Sequence, residues 1–166
     1  MLKVVAVLIA CVGAAMDFKT HKILNKLTVP SVFAGLILNL LFGGLAGLWN
    51  GFLGALVGFT FIFLWMLGAL KAGDVKLYMA IGALGGWRFG LNTMIFSILI
   101  GGIAAFLVML TRKTGRMALD NLWNYIKNLF LTRRFHTYEG TESAYFCFGV
   151  CIAAGAIAAW MLPGIV

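Results

Sequence analysis

Long apolar runs separated by short polar turns dominate this chain. Six runs are candidates for membrane helices, and they cover residues 2–16, 29–48, 51–70, 75–91, 93–111 and 144–162. A helix needs roughly 20 apolar residues to cross a bilayer. Continuous runs without period-two alternation favour helices over the strands of a barrel. The pattern predicts an all-α polytopic membrane protein with about six transmembrane helices.

The segment 112–143 is the one sizeable polar stretch of the sequence. Its apolar residues recur at mostly helical spacing: Met117, Leu119, Leu122, Trp123, Ile126, Leu129 and Phe130. Charged and polar residues lie between them. This alternation predicts an amphipathic helix on the cytoplasmic membrane surface. Membrane anchoring is the simpler role for it, and holding a substrate is the alternative.

Composition agrees with one integral membrane domain over residues 1–166. The mean hydropathy is +1.02 and only 11% of residues are charged, whereas about a quarter are charged in ordinary soluble domains. The net charge of +8 is dispersed among the apolar runs, which does not favour nucleic-acid binding. Contact with anionic lipid headgroups explains it better. The first run resembles a signal peptide, but we interpret it as a retained span because its removal would leave Asp17 without its helix.

Basic residues predict the orientation of the spans. If the turn after the first span faces the cytoplasm, eleven Lys and Arg residues lie on the cytoplasmic side and only Lys3 and Arg88 lie opposite. Such a bias is the usual mark of cytoplasmic loops. Under this topology Asp17 and Asp74 lie on the same side of the membrane. Glycines spaced by four, such as Gly54 and Gly58 or Gly82 and Gly86, favour close helix packing.

Asp17 and Asp74 are the candidate catalytic residues. The chain has five acidic residues, and these two adjoin apolar runs near lysine-rich turns. A carboxylate costs about 2.5–3.5 kcal/mol at the centre of a membrane helix, and less near the interface. Two acids at comparable depth on different helices therefore suggest a working pair. Neighbouring carboxylates share one proton, and one then acts as base and the other as acid, as in aspartyl proteases.

Two short motifs surround these acids. Asp17 is followed six residues later by Ile23-Leu24-Asn25, and Asp74 lies in Lys71-Ala72-Gly73-Asp74-Val75-Lys76. The chain resembles the type IV prepilin peptidase family, membrane aspartyl proteases of the Gly-x-Gly-Asp class. In that family the first motif is Asp followed by Ile-Pro-Asn, and the second is Gly-x-Gly-Asp-x-Lys. Here Leu24 stands in place of the proline and Lys71 in place of the first glycine.

The resemblance implies a concrete function. The family removes the basic leader peptide of prepilin or pseudopilin precursors at the cytoplasmic face, so we expect a multi-pass protein of the bacterial plasma membrane without a cofactor. Asp17 and Asp74 would form the catalytic dyad. Residues that support the motifs or bind substrate would be Ile23, Asn25, Gly73 and Lys76. The chain has no Cys-x-x-Cys pair, so it resembles the short, peptidase-only form.

Simpler interpretations of the same residues stay open at this point. Asp74 could merely cap the fourth span, and Asp17 could merely pair with Lys19 or His21. Lys76 could bias the dyad or bind substrate, or only anchor at the interface. Asn25 could hydrogen-bond near Asp17 or cap the second span. His21 and the scattered acids form no convincing metal cluster.

Two other functions compete with peptidase activity. A non-catalytic membrane subunit of a pilus or secretion assembly machine fits the two departures from the motifs. A small proton-coupled transporter is the other candidate. It is disfavoured because both acids lie near one face, whereas coupling sites lie near the membrane midplane.

Overall fold

The computed structural model describes residues 1–20, 23–66, 70–111 and 148–162. These residues form helices and contain no strand. The helices are α1 (Leu2–Thr20), α2 (Asn25–Phe59), α3 (Ile62–Met66), α4 (Ala72–Gly85), α5 (Trp87–Thr111) and α6 (Phe148–Met161). The predicted all-α class is therefore confirmed for this part of the chain. The predicted amphipathic helix in 112–143, together with His21 and Cys147, lies outside the described residues.

Helix α2 folds back on itself at Gly44. The backbone there has φ 60° and ψ −151°, a conformation that suits glycine because no Cβ obstructs it. The arms 25–43 and 45–59 pack closely, since a Cβ on Gly47 would lie 2.2 Å from the Asn39 carbonyl oxygen. We predicted spans over 29–48 and 51–70. The reversal lies earlier than that prediction, and the second arm ends at Phe59.

A second boundary also differs from the prediction. We placed the break between the fourth and fifth runs near residue 92, but it lies at Gly86, where φ is 83°. Gly86 caps the C-terminus of α4, and its N–H donates to the Gly82 carbonyl. Its ψ is 172°, and a positive φ with this ψ is open almost exclusively to glycine. Arg88 consequently lies in the first turn of α5.

Two segments of the described chain are long and apolar enough to cross a membrane. They are Asn25–Met66, which contains both arms of α2, and Trp87–Leu107. Helix α6 is apolar but shorter. Large apolar side chains such as Leu41, Phe42 and Leu45 are exposed on α2, as expected for a surface in contact with lipid. The expectation of about six transmembrane helices stays a prediction.

Helix α4 lies at the centre of the fold. Leu77, Ala80, Ile81 and Ala83 are fully buried. The second arm of α2 runs antiparallel to α4 at backbone contact, because a Cβ on Gly54 would lie 2.0 Å from the Gly82 carbonyl oxygen. The predicted packing role of these glycines is confirmed. Small residues at such positions let helices approach closely in lipid.

Helix α1 runs antiparallel to α4, and this arrangement positions the two acids. Near the middle of the pair, a Cβ on Gly13 would lie 2.9 Å from the side chain of Leu77. The C-terminal end of α1 therefore lies beside the N-terminal end of α4. Asp17 and Asp74 are placed at this same end of the bundle.

Candidate active site

Asp17 lies in the last turn of α1 and is 1% exposed. Its Oδ2 accepts a hydrogen bond of 3.0 Å from the backbone N–H of Gly149, near the start of α6. The first N–H groups of a helix have no acceptor within that helix, so a carboxylate is a suitable partner. Its Oδ1 lies 3.5 Å from the Lys71 ammonium. The ion pair thus joins Asp17 to the lysine that precedes α4. Of the two partners predicted from the sequence, Lys19 and His21, the latter lies outside the described residues.

Gly149 allows α6 to approach this acid. A Cβ at that position would lie 2.8 Å from the Asp17 Cβ and 3.0 Å from its Oδ2. Any side chain there would displace the carboxylate or the helix. Gly149 belongs to the predicted run 144–162, but we did not identify it from the sequence. No motif marks it, and its contact with Asp17 spans 132 residues.

Asp74 lies at the third position of α4 and is also 1% exposed. Its Oδ2 accepts a hydrogen bond of 3.1 Å from the backbone N–H of Lys71, the residue that precedes the helix. This bond is one half of a capping box. The reciprocal half needs a side-chain acceptor, which a lysine ammonium does not have. The predicted capping role is therefore present, but it uses only one carboxylate oxygen.

The second oxygen of Asp74 has a different environment. Oδ1 is buried, and no hydrogen-bond partner for it lies among the described residues. Buried polar atoms are nearly always paired, so an orphan carboxylate oxygen calls for an explanation beyond helix capping. A carboxyl oxygen that donates a proton to a substrate carbonyl needs no hydrogen-bond partner within the protein, and Oδ1 of Asp74 fits that description.

Lys71 contacts both acids. Its backbone N–H binds Asp74 and its side chain reaches Asp17. The two carboxylates, which are 57 positions apart in the sequence, therefore belong to one polar cluster between α1 and α4. Lys71 is the residue that replaces the first glycine of the second motif. Its backbone has φ −85° and ψ 151°, an extended conformation that does not need glycine.

The remaining motif residues also meet at this end of the bundle. A Cβ on Gly73 would lie 3.0 Å from the Ile23 Cβ, so the two motif segments pack against each other. Lys76 Nζ donates to the Asn25 Oδ1 at 2.9 Å. Asn25 is the first residue of α2, and the helix has no side-chain cap. Asn25 therefore does not act as a side-chain cap of α2 in this structure. Its hydrogen bond with Lys76 lies at the end of the bundle that carries the two acids, and a role for Asn25 near Asp17 stays a prediction.

Tyr78 and Ser97 support the site from the core side. Tyr78 lies one turn after Asp74, is 1% exposed and stacks on Phe61 with ring centroids 4.4 Å apart. Its hydroxyl is hydrogen-bonded to that of Ser97 on α5. These contacts fix the face of α4 that carries Asp74. In the described ranges, no group of three His, Cys, Asp or Glu side chains is placed to hold a metal ion.

Comparison with known proteins places the chain in a family. Residues 4–106 match the model of the type IV leader peptidase family, and this segment includes both Asp17 and Asp74. The match covers more than half of the sequence. This chain belongs to the type IV leader peptidase family.

Two curated relatives support this assignment. Both are described as "Prepilin leader peptidase/N-methyltransferase", from Burkholderia pseudomallei strains 1026b and K96243. Each is 34% identical to this chain over 115 residues, which is 64% of this chain and 36% of the relative. The chain thus spans about a third of the length of these relatives. No solved structure gives a significant match.

Proposed function

We propose that this protein is a membrane-embedded aspartyl endopeptidase that cleaves the basic leader from prepilin-like precursors at the cytoplasmic face. Asp17 and Asp74 form the dyad. One observation carries the proposal: two buried carboxylates from different helices meet at Lys71. Membership of the type IV leader peptidase family and the names of the relatives give the substrate class.

The dyad would hydrolyse a peptide bond with one acid ionised and the other protonated. The ionised carboxylate takes a proton from a water molecule, whose oxygen attacks the scissile carbonyl carbon. The protonated carboxyl gives its proton to the carbonyl oxygen, which forms a tetrahedral diol. Return of a proton to the amide nitrogen then breaks the C–N bond. The products are a leader with a new carboxylate and a mature protein with a new amino terminus.

The position of the dyad suits such a substrate. Both acids lie at one end of a bundle whose sides expose large apolar residues. A precursor that keeps its hydrophobic segment in the bilayer would place the peptide bond that precedes this segment at the depth of the dyad. Its basic leader would stay in the cytoplasm. The substrate class is therefore a polypeptide with a basic stretch followed by an apolar helix.

The test is co-expression with a tagged prepilin-like precursor, scored by removal of the leader. Wild type is expected to cleave, whereas Asp17→Asn and Asp74→Asn each abolish cleavage. An asparagine at position 74 can still accept the Lys71 N–H, so loss of activity there separates catalysis from helix capping. Asp120→Asn is the matched control, because it makes the same change in the polar segment 112–143 and should leave cleavage unchanged. Robust cleavage by either dyad variant contradicts the proposal.

One observation favours a non-catalytic membrane subunit as the second candidate. The Lys71 ammonium partly neutralises Asp17, as it would in a purely structural ion pair. This candidate predicts that wild type inserts normally but cleaves none of several precursors. It also predicts that Asp17→Asn lowers thermal stability in detergent. The lysine of this pair is 42% exposed, so removing the Asp17 charge should cost about 1–3 kcal/mol, which a thermal unfolding measurement would detect.

A further inference from the structure

Lys71 is a cation at the dyad in a position where the family motif has glycine. Its side chain is 42% exposed, while that of Asp17 is 1% exposed. The ammonium therefore extends from the accessible end of the bundle to a buried carboxylate. A backbone requirement does not explain this lysine, because its dihedral angles are open to most residues. What lysine adds over glycine is the charge beside Asp17.

The two acids have unequal sets of donors. Asp17 has a donor on each oxygen, the Lys71 ammonium at 3.5 Å and the Gly149 N–H at 3.0 Å. Asp74 receives one main-chain N–H on Oδ2, and its Oδ1 has no partner in the part of the chain that the structure describes. Hydrogen bonds and a nearby cation favour the ionised form of a carboxyl group. Of the two acids, Asp17 thus has the contacts that stabilise a negative charge.

The charged groups around Asp17 come from α1 itself and from the helices packed against it. Helix α1 packs against α2, α4 and α6. Titratable groups on or just before these helices, in their described parts toward the dyad, are Lys26, Lys71, Asp74, Lys76, Tyr78 and Cys151. Lys26 is exposed and Lys76 binds Asn25, while Tyr78 is bonded to Ser97. On α1 itself, Lys19 is exposed. Lys71 provides the ammonium of the ion pair with Asp17.

We infer that Lys71 is a positioning residue that assigns the roles within the dyad, with Asp17 as the base that activates water and Asp74 as the acid that protonates the scissile carbonyl. This inference rests on the proposed peptidase function and deepens it. The proton leaves water for the Asp17 carboxylate, and the Asp74 carboxyl gives its proton to the substrate oxygen. Lys71 exchanges no proton. Its charge keeps Asp17 ionised while Asp74 keeps the shared proton.

The geometry allows the charge of Lys71 to be removed without disturbing Asp74. The Asp74 contact comes from the main-chain N–H of Lys71, which every substitution except proline preserves. Lys71→Met removes the ammonium and retains much of the stem. Lys71→Gly restores the motif residue, and glycine is well accepted before the first helical residue. Lys71→Arg keeps a positive charge at the same position.

The test is the pH dependence of kcat/KM for leader cleavage by purified protein in detergent or lipid. Acidification protonates the base and stops catalysis. Removal of a cation beside the base makes it easier to protonate, so the acid limb of the profile moves to higher pH. We expect Lys71→Met and Lys71→Gly to shift that limb upward by about 1 pH unit or more. The alkaline limb, set by the acid partner, should move less. Lys71→Arg and the charge control Lys26→Met should follow the wild-type profile.

The outcomes separate the inference from the proposed function. Wild-type cleavage with an unchanged acid limb in both Lys71→Met and Lys71→Gly overturns the role of Lys71 and leaves the peptidase proposal standing. A common shift of both limbs also overturns it, because the charge would then act on the dyad without assigning roles. If Lys71→Met fails to insert, Lys71→Gly alone decides. Failure of the wild type to cleave at any pH overturns the peptidase proposal itself.

Discussion

The ammonium of Lys76 lies 2.9 Å from the side-chain oxygen of Asn25. Each residue is the last of its motif segment, and the two are 51 positions apart in the sequence. The contact ties the start of α2 to the first turns of α4, next to the packing of Ile23 against Gly73. Asn25 and Lys76 therefore hold together the two segments that carry the acids.

We expect Asn25→Ala and Lys76→Met to be coupled. Each substitution alone should lower the free energy of unfolding, because it leaves a polar group without its partner. The hydrogen bond is exposed, so the coupling should be about 1 kcal/mol or less. A double-mutant cycle of thermal stability in detergent measures it. In that cycle the double variant should lose less than the sum of the two single variants.

Lys26→Met in the same Asn25→Ala background is the matched control for this cycle. Lys26 follows Asn25 directly and is exposed, so the effects of these two substitutions should add. Full additivity of Asn25→Ala with Lys76→Met would mean that the contact contributes nothing to holding the two segments. Increased salt should reduce the coupling only slightly, since Asn25 is neutral.

Leu24 already has the backbone conformation of the proline that it replaces. Its φ is −72° and its ψ is 136°, and proline fixes φ near about −65°. The preceding residue, Ile23, is not helical, as a residue before proline should be. We expect Leu24→Pro to insert normally, to retain cleavage and to raise stability by about 0.4–1 kcal/mol, because proline restricts the unfolded chain. Thermal unfolding of the purified variant checks this.

Leu38→Pro provides the contrast for this prediction. Leu38 lies within the first arm of α2, where a proline removes a helical hydrogen bond and costs about 3 kcal/mol or more. Destabilisation by Leu24→Pro of similar size would show that the leucine side chain or its N–H has a role at this turn. The departure from the motif would then be a structural difference rather than a neutral replacement.

The two candidate acids and their motif neighbours could be identified from the sequence because polar residues are costly in an apolar chain. Asp17 and Asp74 stand out against long hydrophobic runs, and the structure brings them to one lysine. The role of Lys71 could not be predicted in the same way. In the sequence, Lys71 is recognisable only as a departure from the first glycine of the motif. Its side-chain contact with Asp17 depends on the antiparallel packing of α1 on α4.

Hydropathy alone was not enough to predict the positions of the helix boundaries. The reversal at Gly44 lies within a continuous apolar stretch, Leu40-Leu41-Phe42-Gly43-Gly44-Leu45. Turns of soluble proteins are marked by polar residues, but apolar side chains are exposed on both sides of this turn. The paired glycines are the remaining signal for this turn. A Cβ added at Gly43 would meet nothing within 4 Å, so this glycine is not part of the close helix packing.

The close contact between Gly149 and Asp17 predicts that the dyad is sensitive to substitution at position 149. Gly149→Ala would place a Cβ 2.8 Å from the Asp17 Cβ, so Asp17 must move or α6 must withdraw its N–H. Misplacement of a catalytic group by about 1 Å can cost on the order of 10²-fold in rate. We therefore expect cleavage of the precursor by Gly149→Ala to fall by about that factor, with the effect mainly in kcat. Gly102→Ala on α5 is the matched control, because nothing lies within 4 Å of its added Cβ. Wild-type turnover by Gly149→Ala would show that α6 does not hold Asp17 in its working position.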